Sequence, residues 1–260
     1  MNGKHVIKYG LIIILGIIVN LAILSVIIKL LAQPTHFGLP LISSQVAMLT
    51  KAGEDGDIEA CWALYIYYVE DEKKELYWLQ KAVNYGDPRA KTYLADRLLM
   101  QDGRDKSKAL VLLNEAAEKN YADAQDQLGE FYKEGKYVNA DLSKAEYWLR
   151  RAANNGRTLS MINLAELLTT THADYKAFVE AYKWTLISLM RVEEKSVYAK
   201  DTRTAVIIQK AGKLGFNVDK INREAELQAI KAEKNIPIYL NVVEKDNIIL
   251  QNIRTKFEKK

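Results

Sequence analysis

Ten residues from Tyr77 to Gly86, Tyr-Trp-Leu-Gln-Lys-Ala-Val-Asn-Tyr-Gly, return from Tyr147 to Gly156 as Tyr-Trp-Leu-Arg-Arg-Ala-Ala-Asn-Asn-Gly, and a weaker copy runs from Val111 to Asn120. The register advances by 34 residues from 77 to 111 and by 36 from 111 to 147. Self-similarity at that period marks an array of helical units, each burying its apolar face only against its neighbours. An array of this kind points to binding of another macromolecule before it points to catalysis.

Each unit reads as two helices. The first helices carry Ala60, Leu64 and Tyr68; Ala90, Leu94 and Leu98; Ala124, Leu128 and Tyr132; and Ser160, Leu164 and Leu168. Spacing of i, i+4, i+8 lays each trio along one helix face. The second helices carry Trp78 and Ala82, Leu112 and Ala116, Trp148 and Ala152, and Trp184 and Ser188. A large residue followed four positions later by a small one lets a neighbouring helix approach while the large side chain fills the groove. Gly86 and Gly156 stand where a helix should end in a left-handed cap, and Asn120 holds the same place. Asp141, just ahead of the second helix of its unit, reads as an N-cap.

One full unit carries a resemblance. Ala124, Leu128-Gly129, Tyr132, Gly135, Val138, Asp141, Lys144-Ala145, Trp148, Ala152-Ala153 and Gly156 together resemble a Sel-1-like repeat, a relative of the tetratricopeptide repeat. Tyr137 replaces the second connector glycine of that pattern. The other copies are degraded, and Tyr65 stands at the glycine position of the unit 57–86, which suggests an N-terminal cap unit or a local shift of alignment. The resemblance covers about half the chain. It implies an all-α fold, an α-solenoid of Sel-1-like, tetratricopeptide-like helix-turn-helix repeats over 43–190.

The flanks read differently. From Leu11 to Ile28 the chain is apolar except for Asn20 and Ser25. Eighteen residues at 1.5 Å rise cover about 27 Å, close to the hydrocarbon thickness of a bilayer. Residues 11–31 are therefore expected to form one N-terminal transmembrane helix after a short cytoplasmic segment, 1–10. Lys4 and Lys8 precede the run, and after Lys29 no Lys or Arg follows until Lys51, so the N-terminus should stay inside and the repeats should lie across the membrane. In a Gram-negative bacterium that means an inner-membrane, single-pass protein with a periplasmic repeat domain. A cleaved signal peptide is the competing reading, against which stand the length of the run and the poor cleavage match of Leu30-Leu31-Ala32. Residues 32–42, with Pro34 and Pro40, read as an extended linker, and Ser43-Ser44 offers a cap for a helix through Lys51. In the C-terminal helical region 191–260, Asp201–Leu214 and Asp219–Lys234 read as helices that cover the open end of the stack. Ile238–Val243 reads as a strand or a helix start, and Asn247–Phe257 as helical.

Composition narrows the function. The net charge of +4 owes three charges to Lys4, Lys8 and Lys29, and the rest of the chain is nearly balanced, without a like-charged block. Nucleic acid is thus not an expected partner. Cys61 is the only cysteine, which excludes an internal disulfide, and next to Trp62 it reads as a small buried hydrophobe. His5, His36 and His172 lack the spacing of a metal site, and no phosphate loop, nucleophile elbow or acid–base pair is legible. No catalytic, cofactor or metal residue is assigned, and none of the three is expected. Trp78, Trp148 and Trp184 share one repeat position and read as core. Tyr67, Tyr85, Tyr121, Tyr137 and Tyr175 fall at connectors or off the repeated faces, and as a group they suit a protein interface.

The resemblance implies an adaptor that binds a protein. In bacteria, proteins similar to this class include immunity proteins that sequester phospholipase toxins delivered by type VI secretion. The expectation is a membrane-anchored periplasmic protein of that kind, which occludes the active or membrane-docking face of a phospholipase or lipase toxin. The alternative is a general envelope scaffold that assembles or regulates a membrane complex. A third reading, an enzyme with its site in 191–260, finds no legible acid–base pair to support it.

Overall fold

The computed structural model describes residues 43–100, 105–191 and 197–237, and these residues form eleven α-helices and no strand. In chain order the helices are α1 (Ser43–Glu54), α2 (Ile58–Tyr67), α3 (Glu72–Asn84), α4 (Pro88–Met100), α5 (Lys106–Glu118), α6 (Ala122–Glu134), α7 (Leu142–Asn154), α8 (Thr158–Thr171), α9 (Tyr175–Arg191), α10 (Val197–Lys213) and α11 (Val218–Glu233). From α1 to α9 each helix packs on the next, and α10 and α11 both pack on α9. This is a stack of antiparallel pairs without a closed centre. The apolar trios and the Trp positions of the sequence lie on these helices as expected, except that Tyr68 caps the end of α2.

Two edges result. Odd helices end and even helices begin at a tight-turn edge, and the reverse happens at a connector edge. The tight turns are built alike. Gly56, Gly86, Asn120 and Gly156 have φ of +100°, +84°, +60° and +88°, the left-handed region that glycine enters without a Cβ penalty and asparagine tolerates. The next N–H in each turn bonds back to the carbonyl of Ala52, Ala82, Ala116 or Ala152, at 2.9, 3.0, 3.2 and 3.1 Å. Asp57, Asp71 and Asp141 cap their helices by accepting from the N–H of Ala60, Lys74 and Lys144 at 3.1, 3.2 and 3.0 Å.

The first of these turns revises the boundary expected at Lys51. Helix α1 runs through Gly53 to Glu54, because a Cβ on Gly53 would lie 2.7 Å from the Trp78 ring and glycine alone lets that ring close in. Helix α1 is thus the second helix of a half-unit preceding α2. Tyr65 takes its unexpected place by leaning on Trp62 (4.9 Å) and on Tyr93 of the next unit (6.0 Å). In the complete unit, Gly129 does what the repeat pattern implies: a Cβ there would sit 2.7 Å from Cγ of the fully buried Leu149.

The core forms two clusters, one from Leu49 to Trp148 and one from Ala145 to Ala229, with α7 contributing to both. Ile207, Ala211, Ile221, Ala225 and Ala229 bring α10 and α11 into the second cluster and so close that end of the stack. Helix α10 begins at Val197, ahead of Asp201, and α11 follows its expected span within a residue. Beyond α11 the chain is strapped down. The Arg191 guanidinium donates to the carbonyls of Ile236 and Pro237 at 2.7 Å each, and Pro237 O lies against Gly156. Among the described residues no helix is long and apolar enough to cross a membrane. The apolar segment 11–31, the linker 32–42 and the elements expected after Ile238 lie outside the described residues.

Candidate protein-docking surface

Helical geometry turns successive residues by about 100°, so a repeat position one step before a core position faces out. Trp78, Leu112 and Trp148 are buried in α3, α5 and α7, and the residues just before them, Tyr77, Val111 and Tyr147, are 46%, 56% and 52% exposed. The period of the array sets these three side chains in a row along the odd helices. Large apolar side chains recurring at one exposed position need a reason, because repeat packing does not require them.

The two tyrosines of the row are held by hydrogen bonds, Tyr77 directly by the preceding unit and Tyr147 through an arginine of its own helix that the preceding unit anchors. Glu54, at the end of α1, accepts from Tyr77 Oη and from Lys81 Nζ at 2.5 Å each. Glu118, at the end of α5, reaches α7 through Arg151: Arg151 Nη1 donates to it at 2.9 Å and also to Tyr147 Oη at 3.0 Å. The Lys81 and Tyr77 hydrogen bonds hold the Glu54 carboxyl below the usual carboxylate range, and Glu54 in turn raises the Tyr77 phenol. Further links join the ends of the same helices. Tyr85 Oη donates to Glu54 O at 3.1 Å, Lys119 Nζ to Gly86 O at 2.8 Å, and Asn155 Nδ2 to Asn120 O at 3.3 Å. Rings pinned before a partner arrives lose little entropy on contact, the property that favours tyrosine in binding surfaces.

The even helices are joined differently, through buried charge. Arg157, at the start of α8, pairs with Asp123 and, at 2.9 Å, with Asp126 of α6, both of which are buried. Ser160 Oγ donates to Asp126 at 2.5 Å. Arg89 of α4 pairs with the buried Asp87 of the turn before it (2.8 Å) and reaches the exposed Glu59 of α2 (2.6 Å). Asp96 accepts from Gln127 Nε2 at 3.0 Å, and burial raises its carboxyl above the ordinary range. Apart from Asp87, which holds Arg89 of its own unit, these groups meet another unit, so the polar residues of this side bind the stack together.

The five connector tyrosines do not form one surface. Tyr67, Tyr137 and Tyr175 lie on the connector edge, Tyr85 and Tyr121 on the tight-turn edge, a helix length of about 20 Å away. Tyr67 packs on Tyr68 (4.9 Å), and Tyr175 packs on Phe216 (6.0 Å). Tyr121 is half-buried against the first core cluster. Tyr137 has φ +65°, the conformation of the glycine it replaces, and its ring rests on Phe131 at 4.9 Å. Cys61 is buried as expected: its thiol donates to Gly53 O at 3.4 Å, and burial pushes it up to about 11. Trp78, Trp148 and Trp184 are buried too. His172 meets Glu146 at 3.0 Å on the surface. Among the described residues no His, Cys, Asp and Glu group has the arrangement to hold a metal ion.

The comparisons agree with this architecture. The family model of the Sel1 repeat matches residues 88–121 and 122–156, the units α4–α5 and α6–α7. No curated protein matches the sequence. Among solved structures, the chain is similar to a protective antigen present in uropathogenic Escherichia coli strains that displays an SLR fold. The TM-score is 0.60 and the identity 19%, over 80% of this chain and 43% of that one. It is also similar to a Sel1 repeat protein from Oxalobacter formigenes, with a TM-score of 0.51 and 24% identity, over 81% of this chain and 58% of that one. The chain spans about half the length of the structures it resembles, and at these identities the likeness shows the fold. The array, as far as the described residues go, is an all-helical solenoid with the Sel1-like repeat fold.

Proposed function

We propose that this chain is a membrane-anchored repeat protein that holds a protein partner against the row Tyr77, Val111 and Tyr147. The observation that carries the reading is the exposure of these three side chains at a single repeat position, with the Tyr77 ring fixed by Glu54 of the preceding unit and the Tyr147 ring by Arg151 of its own helix. The partner is a secreted phospholipase or lipase toxin, and the protein acts as its immunity protein by covering the toxin's active or membrane-docking face. Residues 11–31 anchor it in the inner membrane, with the N-terminus cytoplasmic and the repeats periplasmic, where such a toxin would meet lipid. Support for the anchor comes from the uncharged run Leu11–Ile28 and the lysines ahead of it.

Co-expression with a lipase-like effector encoded beside it, the neighbour this reading expects, tests the reading. The native chain should restore growth. Tyr77→Ala combined with Tyr147→Ala should weaken binding of the purified effector by roughly 10- to 100-fold, as loss of two central aromatic contacts does. Unchanged protection and affinity in a folded double variant would remove the row from the interface. Stable capture of envelope proteins without any protection would favour the envelope adaptor instead.

A further inference from the structure

The connector edge carries exposed aliphatic side chains that neither the stack nor the docking row uses. Val69, Met100, Leu142 and Leu214 are 59%, 85%, 48% and 51% exposed, and Tyr67 beside them is 42% exposed. Val69 and Leu214 lie in the turns after α2 and α10, Met100 ends α4 and Leu142 begins α7, and the alternation of helix direction brings all four to one edge. On the opposite edge Leu159, Met190 and Ile230 are comparable among the described aliphatic side chains, and none is as exposed as Met100.

Charge and chain path distinguish this edge further. Its acids are largely committed to the fold. Asp71, Asp141 and Asp174 accept helix-capping bonds, and Glu72 and Glu75 pair with Arg97 at 2.9 and 2.7 Å. Among the described residues, Lys73, Lys106, Lys108, Lys136 and Lys176 make no ion pair; Glu70, Asp105, Glu134 and Asp219 stand as the countervailing acids. Lysine stems beside tyrosine rings recur here, with Lys74 over Tyr68 at 4.8 Å and Lys144 over Tyr132 at 5.2 Å, related by the repeat. Aliphatic side chains at the tip with tyrosine and lysine around them match the layering of a bilayer interface. Helix α1 also starts on this edge, at Ser43, so the linker 32–42 enters the array there. Eleven residues reach at most about 40 Å.

We infer that the connector edge rests on the surface of an anionic phospholipid bilayer, with the helices standing across the interface and the docking row facing sideways. Val69, Met100, Leu142 and Leu214 enter the headgroup–acyl boundary, and the lysines meet lipid phosphates. This rests on the proposed anchor, which keeps the edge at the membrane. It adds a second contact that fixes the orientation of the array.

The test uses the full chain in vesicles of phosphatidylcholine and phosphatidylglycerol, in a Cys61→Ala background checked for native helix content. A fluorophore is placed by Met100→Cys or Leu142→Cys on the connector edge, or by Tyr85→Cys or Leu159→Cys on the tight-turn edge. Nitroxide-bearing lipids should quench the first pair several-fold more than the second, and high salt should reduce the difference. Retention after alkaline carbonate extraction reports on the anchor separately. A retained chain with equal quenching at both edges, or with none at 100 and 142, overturns the orientation while the anchor stands. A chain stripped by carbonate overturns both. Quenching abolished by Met100→Glu with Leu142→Glu, read from a fluorophore at Val69→Cys in a folded chain, supports the contact through these side chains.

Discussion

Arg157→Met lowers the unfolding free energy by about 3–5 kcal/mol, the usual cost of breaking a buried ion pair from one side. The guanidinium lies between Asp123 and Asp126, whose relative exposures are 9% and 4%, and it joins α8 to α6. Methionine fills part of the space but leaves two carboxylates in a poorly solvated site. Ser160 still donates to Asp126, yet one neutral hydroxyl does not offset two buried charges. Urea denaturation followed by circular dichroism measures the loss as a lower midpoint at an unchanged slope. Adding Asp123→Asn and Asp126→Asn to the same chain should return most of it, because the groups left unpaired are then neutral. A loss below about 1 kcal/mol would mean that the charges at this joint are solvated.

Trp148→Ala and Tyr147→Ala, adjacent substitutions in α7, should have opposite consequences. Trp148 is 6% exposed and lies in the first core cluster, so its truncation should cost about 3–5 kcal/mol. Tyr147 is 52% exposed and is tied to the fold by the hydrogen bond from Arg151, so its truncation should cost less than about 1 kcal/mol. Thermal melts of the two variants give the comparison directly. Similar losses from both would mean that the exposed row belongs to the fold and has no separate role as a docking surface.

That contrast also shows what could be read from the sequence. The period of the decapeptide located the helix pairs, and the spacing of Ala124, Leu128 and Tyr132 located a buried face, because both depend only on local helical geometry. Asp141, Gly86, Asn120 and Gly156 were legible for the same reason: a cap needs a residue type at a place, and nothing distant. The half-unit at α1 was harder, since Gly53 in mid-helix is explained only by the approach of Trp78 from another helix. The candidate surface was hardest. Aromatic residues at connectors look available in a sequence, but Tyr137 substitutes for a glycine and Tyr121 leans on the core. Tyr77 and Tyr147 open the repeated decapeptide, which by itself assigns them no role. Their exposure follows from a turn of about 100° past each Trp, and their fixing follows from Glu54 and Arg151. The signal that could have found them was the repeat itself, carried one residue to the left.

Excision of residues 88–121 tests the side-by-side stacking of units most directly. The deletion joins Asp87 to Ala122, so that Asp87 follows the left-handed Gly86 and precedes α6 as Tyr121 does in the native chain. Ala124 and Leu128 then meet α3 in the places of Ala90 and Leu94. Circular dichroism with thermal melting should show a folded chain that has lost the helix of α4 and α5 alone and still unfolds cooperatively. A chain that loses cooperative melting and most of its helix would show that the units depend on one shared centre, and would contradict the account.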